Sequence, residues 1–355
     1  MKKILKYVGR ILLVLLTVVV FLAATLFTGI YIINRGSSLE IRKIYVSTLL
    51  ETGALKPAAG IFLTEDELNE IASSVSMKDI DVTLDTSLIN TSTENVSEEG
   101  EANTPAVPLD SVTIEKVAGR TFTANVMLVQ DPSRIFCATC YPWTKKGLSL
   151  EGYVKKFNAK GGINGGLFDN SDFKTGVPIG PVVSQGQIQN TSLNAPGLYM
   201  IGFDVDNILQ IIDLDGITPD QVKDVVEKYR IRDAVTFQDH VDGRNSHFVP
   251  LIINGEARET AGNGSGSNPR TAIGQRADGS LILVVTDGRG TAGHIGATAS
   301  DLIDLMQKYG AVNAANLDGG ASTSMYYDGE YQMTSTLLYY NNNSSWYYPT
   351  CFLIK

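Results

Sequence analysis

The sequence predicts an α/β or α+β protein, a central mixed sheet flanked by helices, preceded by a single transmembrane helix and a helical stalk. A unit of capped helix, short turn, apolar strand and polar end recurs at 148–166, 217–240 and 298–320, and alternating helices and strands build a sheet covered by helices. Thirty-four glycines and fifteen tyrosines suit a loop-rich chain of this kind better than a helical bundle. An uncharged run at 11–33, "ILLVLLTVVVFLAATLFTGIYII", stands apart from all of this.

That run, about 23 residues, is long enough to cross the hydrocarbon core of a bilayer as one helix. Its apolar stretch is longer than that of a cleavable signal and lacks a small-residue cleavage site. Lys2, Lys3, Lys6 and Arg10 precede it, so the expectation is an uncleaved anchor, residues 1–34, with a cytoplasmic N-terminus and an extracytoplasmic C-terminal domain at the cell membrane. Residues 35–90 read as the stalk: a helix over 38–50, a break at Gly53 and Pro57, then a helix opened by "TEDE", a capping box in which Glu67 reaches back to Thr64. Residues 91–108, "TSTENVSEEGEANTPAVP", offer almost nothing to bury and read as a disordered linker. The globular domain is expected over 109–355.

Within it, Thr218 and Pro219 mark a helix start. "GSLILVVTDG" and "HFVPLIINGE" read as strands edged by turn residues. With 38 acidic against 29 basic residues and a net charge of −9, the chain has no basic block beyond its N-terminus, which argues against nucleic acid as a partner. Cys137 and Cys140 form a lone CxxC and Cys351 stands apart; without a second pair no four-ligand zinc site is spelled out, and a local disulfide or inert thiols are expected ahead of redox catalysis.

The three repeating units end in Asn164, His240 and Asp318, and strand ends on a rigid sheet are where such folds gather their chemistry. In "GGINGGLFDN", Asn164 is followed by Gly165 and Gly166, which permit close backbone approach, with Asp169 further on; the same letters also spell an ordinary Asn-Gly turn. "SGSNPRTAIG" presents Arg270 and Thr271 after a Gly/Ser stretch, a planar fork suited to phosphate. "LILVVTDGRG" delivers Asp287 and Arg289. "AANLDGGASTSM" delivers Asp318, Gly319, Gly320 and Ser322; it lacks the lysine and spacing of a P-loop and the G-x-S-x-G of a nucleophile elbow. His240 and His294 are further site candidates, although loop histidines are more often simply solvated. Carboxylates handle glycosidic bonds and arginines handle phosphate, so the set suits a sugar linked through phosphate.

"NGGLFD", "GVPIGPVVSQGQI", "NPRTAIGQRADGSLILVVTDGR" and "NAANLDGGASTSMYYDGE", in that order, resemble the phosphodiester glycosidase domain over roughly residues 110–355. Leu167 ahead of Phe168, Ala321 in place of a third glycine and Thr323 in place of a serine are departures from the usual pattern. The resemblance implies hydrolysis of the anomeric C1–O bond of a sugar-1-phosphodiester within cell-surface glycan or exopolysaccharide. Asp318, Asp287 and Asp169 would then be the catalytic carboxylates. Asn164, Gly165, Arg270, Thr271, Arg289, Gly319, Gly320 and Ser322 would bind substrate. No cofactor is demanded; a divalent cation on the carboxylates and the oligomeric state stay open. The rivals are a non-catalytic glycan-binding or polymer-assembly factor with the same fold, and a phosphodiesterase cutting P–O.

Overall fold

The computed structural model describes residues 2–52, 55–91, 108–171, 175–242, 245–335 and 344–355. The chain divides into two compact units, 1–74 and 75–355. The linker expected at 91–108 falls almost wholly outside the described residues.

In the first unit the apolar run forms one helix, Lys2–Arg35, whose most apolar stretch has mean hydropathy 2.8 and is exposed throughout, while Ile30 and Asn34 near its end are buried and Asn34 Nδ2 donates to Ile61 O at 2.7 Å. Helix Leu39–Leu50 is capped by the Ser38 hydroxyl. Helix Glu65–Ser73 begins with the expected capping box: the Glu67 N–H donates to Thr64 Oγ1 at 3.2 Å and the Thr64 N–H donates to Glu67 Oε2 at 2.7 Å. Val46, Leu50, Ala59, Leu68 and Ile71 bury together and hold these helices to one another.

In the second unit three sheets share one core, to which Ile273, Leu283, Val285 and Leu317 contribute from one sheet, Ile163, Met325 and Phe352 from another, and Ile201, Phe203 and Val235 from the third. The largest has seven strands, including Thr123–Val129, Leu281–Thr286, Thr271–Arg276, Ala311–Asn316 and Pro250–Ile253. A five-stranded sheet runs in the order Glu330–Thr334, Ser324–Tyr327, Gly161–Asn164, Thr350–Ile354, Ile135–Thr139. A second five-stranded sheet contains Leu198–Asp204, Leu209–Asp213 and Ile231–Gln238. One amphipathic helix covers the outer face of each: Ala299–Lys308, Leu150–Phe157 and Val222–Lys228 respectively.

This is an α+β arrangement, and its sheets are antiparallel at every described pair of strands rather than mixed. The repeating unit explains why. In each sheet the strands before and after the covering helix run the same way, as a crossover requires, but another strand lies between them. The Leu281–Thr286 and Ala311–Asn316 strands flank Thr271–Arg276, Leu209–Asp213 and Ile231–Gln238 flank Leu198–Asp204, and Ile135–Thr139 and Gly161–Asn164 flank the C-terminal Thr350–Ile354. The inserted strand turns every neighbour antiparallel.

Residues 76–90 fasten to the second unit rather than extending the stalk. Ser76 and Met77 pair with Ala261 and Thr260, the Lys78 N–H donates to Glu259 O at 2.9 Å, and the Asn90 N–H donates to Ala277 O at 2.8 Å. Ile80, Val82 and Leu84, alternating in the sequence, pack on the central core. Cys137, Cys140 and Cys351 are buried free thiols. Three residues apart on an extended chain, Cys137 and Cys140 face opposite ways, one into the central core and the other toward helix Leu150–Phe157. Burial pushes the Cys137 and Cys351 thiols well up, so they are inert as nucleophiles.

Candidate active site

Sheet register brings several sequence-predicted residues to one edge. Thr271 opens its strand opposite Val285, and Ala272 lies opposite Asn316, so the start of one strand meets the ends of its two neighbours. Asp287 and Asp318 follow those two ends directly.

Asn164 ties this edge to the adjoining sheet. Its Nδ2 donates to Asp318 O at 2.6 Å, and its Oδ1 accepts from Thr271 Oγ1 at 2.8 Å and from the Ser324 N–H at 3.1 Å. Asn164 and Thr271 are buried, with their polar atoms spent on one another, so they set the geometry of the edge. Asn164→Ala is therefore expected to cost about 3 kcal/mol or more, because two buried donors and the part-buried Asp318 carbonyl lose their partner at once; a urea titration checks this, and a loss below about 1 kcal/mol would show that the clamp is dispensable. The following glycines serve the sheets. A Cβ on Gly165 would sit 2.7 Å from Thr350 Oγ1 and one on Gly166 would sit 2.4 Å from Thr236 O, so side chains there would push the sheets apart.

Asp318 lies on the turn that follows Ala311–Asn316. Burial pushes its carboxyl up to about 7, against hydrogen bonds from the Ser322 hydroxyl and the Gly319 N–H and the attraction of the Arg289 guanidinium. The two glycines make this turn. Gly320 has φ +58, and the Gly320 N–H donates to Pro269 O at 2.8 Å. A Cβ on Gly319 would meet Pro269 O at 2.8 Å, and one on Gly320 would meet Arg289 Nη2 at 2.8 Å. The Arg289 guanidinium thus lies directly over the Asp318 turn.

Arg289 is held in a left-handed conformation, φ 54, within a loop whose Gly290, Ala292, Gly293 and Gly296 also have positive φ. Burial, and then the neighbouring Arg270, lower its pKa while Asp318 raises it. Its side chain is under-used: Nη2 makes one long bond, 3.5 Å, to Asn268 Oδ1, and Nε finds no acceptor among the described residues. The Thr323 hydroxyl is likewise buried without a partner among them.

The other candidates take different places. Arg270 stacks on Phe248 and gives its donors to Ala297 O at 3.2 Å, Ser265 Oγ at 3.0 Å and Gly266 O at 2.6 Å, holding the Gly/Ser loop closed. Asp287 accepts from the Thr123 N–H at 2.7 Å and pairs with His294 Nδ1 at 2.8 Å. The pair closes the base of the Arg289 loop, a role invisible in sequence because it depends on the seven-residue loop folding back. Asp169 accepts from the Ser171 N–H at 2.8 Å within its own loop and makes no described contact with Asp318 or Arg289. His240 pairs with His247 in a short ribbon. Among the described residues no three His, Cys, Asp or Glu side chains gather as ligands for one metal ion.

The arrangement can therefore bind an anion at Arg289 and move a proton at Asp318, whose carboxyl is raised to about 7, with Ser322 orienting it. Comparisons with known proteins bear on the fold and the family. The catalytic domain of zebrafish N-acetylglucosamine-1-phosphodiester alpha-N-acetylglucosaminidase, in a form auto-inhibited by its pro-peptide, superposes with a TM-score of 0.53 at 18% identity, over 72% of this chain and 86% of that one. A hypothetical protein from Synechocystis gives a TM-score of 0.45 at 15% identity, over 69% of this chain and 62% of the other. An uncharacterized SPbeta prophage-derived protein of Bacillus subtilis, YomE, is 44% identical over 64 residues; the match spans 18% of this chain and a tenth of the length of that relative. The family model for phosphodiester glycosidase matches residues 157–355, which hold Asn164, Arg289 and Asp318, and the chain belongs to that family.

Proposed function

We propose that this chain is a membrane-anchored, extracytoplasmic hydrolase that splits the anomeric C–O bond of sugar-1-phosphodiesters in cell-surface glycan or exopolysaccharide. The single observation that carries the reading is the Asp318–Arg289 pair: a carboxyl raised to about 7 beside a guanidinium with an unspent donor. The phosphodiester binds with its charged oxygens toward Arg289. As the C1–O bond breaks, its electron pair goes to the departing phosphate monoester, where Arg289 stabilises the growing charge. Water attacks C1 and gives its proton to the Asp318 carboxylate, and the products are the free sugar and the phosphate monoester. A good leaving group of this kind needs little help from an acid, so one carboxylate and one arginine suffice.

The long apolar helix supports an anchor, and the basic residues before it support a cytoplasmic N-terminus. The test is turnover of synthetic sugar-1-phosphodiesters in 18O-labelled water, by purified protein and by intact cells expressing it. Label in the free sugar, released by intact cells, is the expected result. Label in the phosphate would mean P–O cleavage. Binding of glycan without turnover would mean an assembly or binding factor, and turnover only after lysis would place the domain inside.

A further inference from the structure

We propose a second, outlying subsite that takes one sugar-phosphate repeat of a polymer, built from Tyr141 and Trp143 for the sugar and Lys145 and Lys146 for the phosphate. It rests on the hydrolase reading above and narrows its substrate to a phosphate-linked chain rather than a single sugar phosphodiester.

The placement follows from register. Thr139 lies opposite Thr350, and Cys351 opposite Asn164, so three strands of one sheet finish at the same edge. The strand ending at Thr139 is two positions from the strand ending at Asn164, about 10 Å at the usual strand spacing. The segment that leaves Thr139 carries Tyr141 and Trp143 and is pinned at that edge. The Cys140 N–H donates to Pro349 O at 3.1 Å, Trp143 Nε1 donates to Gln189 O at 3.2 Å, and Leu148 bridges Tyr348.

Tyr141 is 51% exposed and packs edge-on against the half-buried Trp143, ring centroids 5.3 Å apart. Trp143, anchored by its indole N–H, packs its inner side on the core, and Tyr141 stands nearly at right angles beside it with half its surface exposed. Together they offer a flat apolar face and an adjoining edge, the surface on which the C–H face of a pyranose rests. Lys146 lies 3.7 Å over the ring of Tyr347, which holds its ammonium in place beside this segment, and Lys145 adjoins it. In a chain of net charge −9, two neighbouring exposed lysines beside an aromatic pair form a local field that favours an anion. Sugar face and phosphate are both provided for at the same sheet edge as Asn164, which holds the Asp318 turn.

The test measures binding to the Asp318→Asn protein, so that turnover does not interfere. The probes are a fluorescent synthetic hexamer of hexose-1-phosphate units and the methyl phosphodiester of one unit. Tyr141→Ala is expected to weaken hexamer binding at least tenfold, and Lys145→Ala with Lys146→Ala to weaken it similarly while flattening its salt dependence. The ratio of hexamer to monomer affinity should collapse in both variants. Hexamer binding that is absent, or unchanged in both variants, overturns the subsite. Failure of the hydrolase reading shows separately, as no turnover of the methyl phosphodiester by the parent chain.

Discussion

Asp318→Asn is expected to lower kcat/KM on a sugar-1-phosphodiester about 10³-fold while making the protein relatively more stable as pH rises. Loss of rate follows from removing the group that takes the proton from water. The stability change follows from linkage. The Asp318 carboxyl is raised from 3.8 to about 7 in the folded chain, chiefly by burial. Between those values the native state keeps a proton that the unfolded chain has already lost. The parent is therefore destabilised as pH rises through this window, and above about 7 the full cost of burying the carboxylate is present. Asparagine does not titrate, and its Oδ1 still accepts from Ser322 and Gly319. Relative to the parent, the variant should gain on the order of 2 kcal/mol between pH 5 and pH 8, read as a widening difference in Tm. A difference in Tm that is constant or shrinks over that range would show that Asp318 titrates normally. In the parent, kcat/KM should rise with pH through about 7. A profile that falls there would assign Asp318 the acid's role.

Arg289→Ala is expected to cost about 10² to 10³-fold in kcat/KM, and to move the rising limb of the pH profile upward. Arg289 is one of the groups that hold the Asp318 carboxyl down against burial, so its removal leaves the carboxyl higher still. That displacement distinguishes loss of the guanidinium from a merely loosened loop, which would cost rate without a directed change of profile. Arg289→Lys keeps a charge but not the fork, and should restore the limb better than the rate. Arg289→Gly supplies a further control. The residue has φ 54, which glycine adopts without strain, so this variant should be as inactive as Arg289→Ala yet about 1 kcal/mol more stable. An Arg289→Ala enzyme with the parent's rate and profile would remove Arg289 from the site.

Some of this was open to reading along the chain because it rests on near neighbours. The capping box of Thr64 and Glu67 needs four consecutive residues, and the caps at Thr218 and Thr298 need the same. The apolar helix needs only its own composition. Arg270 shows the opposite case. Its turn context suggested a free fork, but its partners Ala297 and Phe248 come from segments on either side that only folding brings together. Asp287 shows it again: a carboxylate at a strand end looks catalytic until Thr123 and His294 are found spending its oxygens on loop geometry. The insertion of Thr350–Ile354 between Ile135–Thr139 and Gly161–Asn164 joins the last residues of the chain to two early strands linked by a crossover helix, which no local pattern encodes.

The sequence by itself determined the elements, the family resemblance and the short list of polar residues at strand ends, because periodicity, capping and turn chemistry act over a few residues. Only the tertiary structure decided which of those residues work together. Asp318 became a group titrating near neutrality through burial and the proximity of Arg289, and Asn164 and Thr271 became its supports. Burial and charge proximity are sums over side chains distant in sequence, so they come into being only when the sheets close.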